Sequence, residues 1–406
     1  MNLRVLAVIV LIVYGFFKEF RPVLPYFNEY LTTSGRNFTD EMLNHEVYPV
    51  WTYSYLAFLL PVLLLSDFTR HFIFVILGNC AQLGTMISMI FGTSIMAMKF
   101  MEIFYGFATA CEVSYMSFVY SIVENDKSYQ KITSWMRTSI LAGMSSSFAV
   151  GQILLLAGIN DLNIHGYISL AAVVASFMLI SSLRCWPQLR HRTKPKHLKK
   201  LFSNGLLNAY LNLCKRFKNC YNSVFLAKWS MFWALSTCGH LQVSNFVQNL
   251  WSTIGEESGM SVAFNGVTEA INALMGAAGA FIVQYIHLNW YLVGDSYLFI
   301  VLCLQAALLV VVSRTSSLLV AYILHVFFSF LYQTSATVST FLIARETPAK
   351  HHGLIFGANA FISLCLQTVL TLIVADSNGL ALPVKAQVSL LLFTDFLAKH
   401  CLRIVS

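Results

Sequence analysis

The sequence predicts an all-α membrane protein of twelve transmembrane helices, arranged as two halves of six. Three observations predict it. Of 406 residues, 57% are hydrophobic and only 11% charged, whereas water-soluble domains carry roughly 25% charged residues. Mean hydropathy is +0.67. Apolar stretches long enough to cross the ~30 Å hydrocarbon core recur twelve times, six on each side of one long polar connector.

The candidate spans lie near 4–27, 47–66, 72–94, 96–123, 133–157, 163–183, 229–251, 261–285, 293–313, 317–343, 353–375 and 382–402. Each must be helical, because a backbone crossing hydrocarbon has to satisfy its own N–H and C=O groups. The first reads as a retained span, since no small-residue cleavage pattern precedes Lys18-Glu19-Phe20-Arg21. The expected domains are a six-helix bundle over 1–183, a basic cytoplasmic connector over 184–228 and a second six-helix bundle over 229–406. No internal repeat is visible. Span count and connector point to the major facilitator arrangement, in which two halves rock around a central site.

The connector also sets the orientation. From Arg184 to Lys228 there are eleven Lys or Arg residues and no Asp or Glu. By the positive-inside rule this stretch is cytoplasmic, and an even number of spans then puts both termini on the same side. Its basic run accounts for the net charge of +8 and suits topology control and contact with anionic lipid rather than nucleic acid. The loop after span 1 carries Asp40, Glu41 and Glu46, and the loop after span 7 carries Glu256 and Glu257. Asn37-Phe38-Thr39 in the first of these is a glycosylation sequon, usable only on the lumenal or extracellular side. Of nine cysteines none falls in an outside loop, so no disulfide framework is expected. The expected location is the plasma membrane, as a multi-pass glycoprotein.

Ionisable groups inside spans are costly and usually functional. Glu112 sits in the middle of span 4 with Tyr115 three residues on, on one helical face. Span 8 holds a second carboxylate, Glu269, and span 7 offers Gln242, Asn245 and Gln248 along one stripe. Span 2 opens with Tyr48, Trp51 and Tyr55, which fit either an interfacial anchor or a pocket wall. Glu102, nearer a span end, reads as a structural pairing residue. Carboxylates, amides and aromatic faces together suit an organic cation with a hydrogen-bonding ring, where a desolvated cation–π contact contributes ~2 kcal/mol. An enzyme is not expected: the sequence has no His-Glu-x-x-His, no Gly-x-Ser-x-Gly and no phosphate-binding Gly-Lys-Ser/Thr loop. No metal and no cofactor are called for.

A run of motifs is similar to the reduced-folate and thiamine carrier family of vitamin transporters. They include Glu46-Val47-Tyr48-Pro49-Val50-Trp51-Thr52-Tyr53-Ser54-Tyr55-Leu56 in span 2 and Asp67-Phe68-Thr69-Arg70 after it. Phe20-Arg21-Pro22, Tyr129-Gln130-Lys131 with Arg137, Phe264-Asn265-Gly266, Phe356-Gly357-Ala358-Asn359 and Gly379-Leu380-Ala381-Leu382-Pro383-Val384 match as well. The resemblance covers nearly the whole chain except the connector. Within the family, folate carriers hold basic residues in spans 4, 10 and 11, where this chain has Glu112, Ser329 and Gln367. Thr109-Ala110-Cys111-Glu112-Val113-Ser114-Tyr115 resembles the thiamine members instead.

The resemblance implies a pocket for thiamine or a similar heteroaromatic cation, with Tyr48 and Trp51 as aromatic wall, Glu112 and Tyr115 on the aminopyrimidine and cation, Asn245 from span 7 and Glu269 from span 8. It departs at Leu24, where the family has a glutamate, and at Met86 and Met144, where aromatic residues are expected. Folate, another vitamin such as pyridoxine, or a non-transporting substrate sensor are the alternatives. Asp67, Arg70, Lys131 and Arg137 are candidates for cytoplasmic salt bridges that break as the protein opens inward, or for ordinary helix-end pairs. His325 in span 10 reads as a hydrogen-bonded structural histidine before a proton relay.

Overall fold

The computed structural model describes residues 3–33, 38–39, 42–68, 71–123, 128–183, 215, 221, 223–258, 265–348, 351–374 and 380. Asn37 and Arg70, the side chain of Asp67, nearly all of the connector and the whole of the twelfth expected span lie outside the described residues. Within them, every regular element is helical. The long helices are α1 (Leu3–Glu19), α2 (Tyr48–Phe68), α3 (His71–Phe91), α4 (Ile95–Ile122), α5 (Tyr129–Leu156), α6 (Leu162–Ser182), α7 (Val224–Ser258), α8 (Asn265–Ile282), α9 (Trp290–Arg314), α10 (Leu318–Glu346) and α11 (His352–Val374). They fall on the first eleven spans read from the sequence. Seven of them, α3, α5, α6 and α8 to α11, are long and apolar enough to cross a membrane by length and composition. The equally long α2, α4 and α7 carry more of the aromatic, charged and amide residues singled out above.

Two compact units share these helices. One comprises Met1–Asp126, Ser139–Lys218 and Pro348–Ala358, and the other Lys127–Thr138, Asn219–Thr347 and Asn359–Ser406. The first turns of α5 therefore cluster with the second unit and the first turns of α11 with the first. Side-chain chemistry explains both assignments. Gln130 on α5 donates its amide to the carbonyls of Val283 (2.6 Å) and Ile286 (2.7 Å), just past the end of α8. Trp135 sets its ring edge-on to Phe281 at 5.5 Å. In the first unit, His352 and Phe356 on α11 pack against Tyr120 of α4, with centroids 5.2 and 6.0 Å away.

α4 is the hub of the first unit, packing on α2, α3 and α1. Small residues allow the close approach, as is usual between membrane helices. A methyl on Gly78 of α3 would meet the Cβ of Cys111 on α4 at 2.6 Å, and one on Gly106 would meet the backbone nitrogen of Tyr55 on α2 at 2.8 Å. α10 is the corresponding hub of the second unit, packing on α7, α8 and α9. Its inner run Ser335 to Thr340 is buried. Ser339 and Thr340 return their hydroxyls to carbonyls four residues back, at 2.8 and 2.7 Å, so these polar groups cost little away from water. The five described cysteines, Cys80, Cys111, Cys238, Cys303 and Cys365, are free thiols.

Candidate functional site

The site begins where α1 stops. The sequence suggests one unbroken span over 4–27, but the helix ends at Glu19. The chain then passes through Phe20–Val23 into a short 3-10 turn, Leu24–Tyr26, and a seven-residue helix, Phe27–Thr33. Pro22 is the cause: it lacks an N–H and disfavours a helical conformation in Arg21 before it, whereas Pro25 lies in the first positions of the 3-10 turn, where its missing N–H is not needed. Serines on neighbouring helices satisfy the freed backbone. Arg21 N–H donates to Ser147 Oγ on α5 (3.1 Å), and Val23 N–H donates to Ser169 Oγ on α6 (3.2 Å). Interrupted helices of this kind survive at membrane depth only where they are buried in protein or line a cavity.

A cavity of about 270 Å³ lies beside the break. Its wall includes the rings of Phe27, Tyr48, Trp51 and Tyr105 and the thioethers of Met86, Met89 and Met101. Trp51 lies 6.0 Å from both Tyr55 and Tyr105 in stacked geometry, and its indole N–H donates to Thr109 Oγ1 at 3.5 Å. Tyr48 donates its hydroxyl to Asn28 Oδ1 at 2.7 Å. Leu24 supplies an alkyl side chain to the wall. Among the described residues, two charged groups face the cavity, Arg21 and Glu102. Glu102 is only 5% exposed, and none of the ion pairs among the described residues involves it. The pairing role expected from sequence is therefore absent there, and Glu102 is instead the carboxylate of the aromatic cavity.

About two helical turns away along α3 and α4 lies a second, much smaller cavity, lined by Tyr14, Lys18, Asn79, Gln82, Glu112 and Tyr115 among others. Glu112 and Tyr115, expected beside Trp51, are here. Glu112 Oε1 is paired with Lys18 Nζ at 2.5 Å. Lys18 also reaches Glu19 Oε1 at 3.2 Å, and Glu19 Oε2 accepts from Arg21 Nη2 at 2.7 Å. Four charges thus run in a chain, Glu112, Lys18, Glu19 and Arg21, from the small cavity to the large one. Tyr115 is buried, donates its hydroxyl to the Leu11 carbonyl at 2.8 Å and lies edge-on to Tyr14 at 5.2 Å.

Sequence reasoning passed over Lys18, Glu19 and Arg21 as members of the site. The signal was present: three charges within four residues, inside a stretch read as membrane span, meet the rule that intramembrane charges are functional.

The remaining candidates belong to the second unit. Asn245 on α7 is exposed. Glu269 on α8 accepts from the Asn272 amide at 3.2 Å, and that amide lies 3.3 Å from His325 Nε2 on α10. His325 is buried and edge-on to Trp251 at 5.3 Å, so it sits inside a hydrogen-bonded cluster as the sequence suggests. Gln242 accepts from the Thr371 hydroxyl at 3.0 Å. Lys131 is exposed, and Arg137 donates to Gln333 Oε1 at 2.6 Å. Ser329 and Gln367 are both buried. Among the described residues no group of three or more His, Cys, Asp or Glu side chains is placed to hold a metal ion.

Chemically, the large cavity combines stacked π-faces with the buried Glu102 carboxylate, which no cation pairs among the described residues. Burying a carboxylate without a cation is expensive, and an arriving cation recovers that cost while stacking on the rings.

The sequence matches the family model described as reduced folate carrier over residues 4–191 and 187–390. Mouse thiamine transporter 1 is 33% identical, with 92% of this chain and 84% of that protein aligned. Folate transporter 1 of Caenorhabditis elegans is 32% identical, with 93% of this chain and 86% of that protein aligned. Among solved structures, the human organic anion transporter MFSD10 superposes with a TM-score of 0.69 at 12% identity, covering 98% of this chain and 99% of that one. The major facilitator superfamily transporter FucP, in its outward conformation, gives a TM-score of 0.59 at 12% identity, with 99% of each chain covered.

Proposed function

The chain belongs to the reduced folate carrier family of membrane transporters and has the major facilitator fold, and on that premise we propose that its cargo is thiamine or a heteroaromatic cation of similar build. The observation that carries this proposal is the aromatic cavity with Glu102 in its wall and no cation paired to it among the described residues. An aminopyrimidine presents hydrogen-bond donors to a carboxylate, and a thiazolium ring presents positive charge to π-faces. The relatives named for thiamine transport support the same assignment.

Transport proceeds by alternating access, with bundles 1–183 and 229–406, joined by the connector 184–228, rocking to open the cargo's site to each side in turn. Tyr48, Trp51 and Glu102 receive the cargo, and Glu112 and Tyr115 hold the next station along the same helices. Asn245 and Glu269 serve the path from the second unit, a role that rests on the family resemblance. The basic connector supports cytoplasmic termini; the plasma membrane is the proposed location, with Asn37 as the glycan acceptor.

Folate is the alternative cargo, and one observation favours it: Arg21 faces the cavity while its Nε and Nη1 donors find no acceptor among the described residues. Uptake of radiolabelled thiamine and folate by cells expressing the chain tests the two against each other. Thiamine is expected to accumulate and folate is not. Folate accumulation in its place defeats the substrate assignment, and binding without accumulation identifies a sensor.

Leu24 offers a finer test. Its side chain lines the cavity, so Leu24→Glu adds a second carboxylate at the cation's site. At an effective dielectric near 20 this should tighten thiamine binding by roughly 1–3 kcal/mol, about fivefold or more. An unchanged half-saturating concentration for uptake would show that the cation does not sit against residue 24.

A further inference from the structure

Glu112 is not waiting for a ligand: it already holds a cation that is part of the chain. Lys18 Nζ sits 2.5 Å from Glu112 Oε1, and the two side chains are very differently placed, with Lys18 9% exposed and Glu112 52% exposed. The carboxylate can therefore be reached from the open side while the ammonium is held behind it. Lys18 occupies only Oε1, and no hydrogen bond is recorded to Oε2 among the described residues. Lys18 also has a second carboxylate, Glu19, at 3.2 Å. It can let go of Glu112 without becoming an unpaired buried charge, which would be strongly destabilising.

We propose that Lys18 is a specificity-determining residue: a tethered counter-cation that competes with the cargo for Glu112 and shifts onto Glu19 when a cationic cargo takes its place. The inference rests on the proposed cation cargo and deepens it. Charge counting gives its consequence. Glu112, Lys18, Glu19 and Arg21 sum to zero, so this chain of ion pairs does not by itself prefer a cation over an anion, and among the described residues of the two cavities Glu102 gives the negative bias. With Lys18 neutralised, the four positions carry a net charge of −1 and cations gain at the expense of anions.

The apparent affinity of a ligand falls by the fraction of protein in which its site is free, so removing a competitor that holds Glu112 most of the time should tighten cation binding about tenfold. The experiment is ligand-induced thermal stabilisation of the purified full-length protein, read for thiamine and for folate in wild type, Lys18→Met, Lys18→Gln and Lys18→Arg. Lys18→Gln is the second neutral form, able to hydrogen-bond Glu112, should Lys18→Met fail to fold. The ratio of thiamine to folate affinity is expected to rise about tenfold in the neutral variants and to stay near wild type in Lys18→Arg, which keeps the competing charge. A ratio unchanged or lowered in the neutral variants overturns the proposal even where thiamine binds. A wild type that prefers folate but still shows the shift in ratio overturns the substrate assignment and upholds the role of Lys18. A wild type that binds neither ligand overturns both.

Discussion

Glu102→Gln is expected to lower thiamine uptake at subsaturating concentration by roughly a hundredfold, since one charge about 5 Å from a cation is worth ~3 kcal/mol at an effective dielectric of 20. The amount of folded protein is expected to stay the same or rise. Glu102 is 5% exposed and unpaired with any cation among the described residues, so an isosteric amide strands no partner and relieves the burial of a lone charge. The pattern to look for is therefore lost uptake with an undiminished melting temperature and undiminished protein at the cell surface. Uptake within twofold of wild type would remove Glu102 from the cargo's path.

Glu112→Gln is expected to behave differently, because its carboxylate has a partner. The substitution leaves Lys18, only 9% exposed, to share Glu19 with Arg21. Glu112 is 52% exposed and Lys18 keeps Glu19, so the loss should be about 1 kcal/mol rather than that of a fully buried pair, and the melting temperature and the yield should fall slightly along with thiamine uptake. The double variant Lys18→Met/Glu112→Gln, which removes both charges, should recover most of the stability, as replacement of buried ion pairs by neutral groups often does. It should not recover uptake if Glu112 serves the cargo. Full uptake by the double variant would reduce Glu112 to a structural partner of Lys18.

How much of this was legible in the sequence differs between fold and site. The helices were, because apolar run length and the need to satisfy backbone groups in hydrocarbon leave little choice. The first eleven spans match α1 to α11 apart from the break in α1, where Pro22 stands three residues past the helix end inside a run whose apolar length alone suggests continuity. The two carboxylates of α4 show the limit more sharply. Glu102 and Glu112 are ten residues apart, so helix geometry alone separates them by ~15 Å along the axis and about 80° around it. That spacing already said they could not serve the same level of one cavity. Which of them meets the aromatic residues depends on how α2 and α3 dock on α4, and that is set by close contacts at Gly78 and Gly106 that no periodicity reveals. Likewise, the partner of Glu112 lies 94 positions away in the chain, and nothing local announces it.

The interrupted stretch at Phe20–Val23 has a mechanical consequence. Arg21 and Val23 are tied to the bundle by single hydroxyl bonds from Ser147 and Ser169, each worth only about 0.5–1.5 kcal/mol. A continuous helix resists bending with a full ladder of backbone bonds, whereas this joint has a sparser set: Arg21 N–H to the Glu19 carbonyl (3.0 Å), Leu24 N–H to the Arg21 carbonyl (3.0 Å) and Tyr26 N–H to the Val23 carbonyl (3.1 Å), besides the two serines. Arg21 sits on the joint itself, with Lys18 and Glu19 in the last turn before it, so a few degrees of flexing there re-aims the charged side chains while the pillars around them stand still.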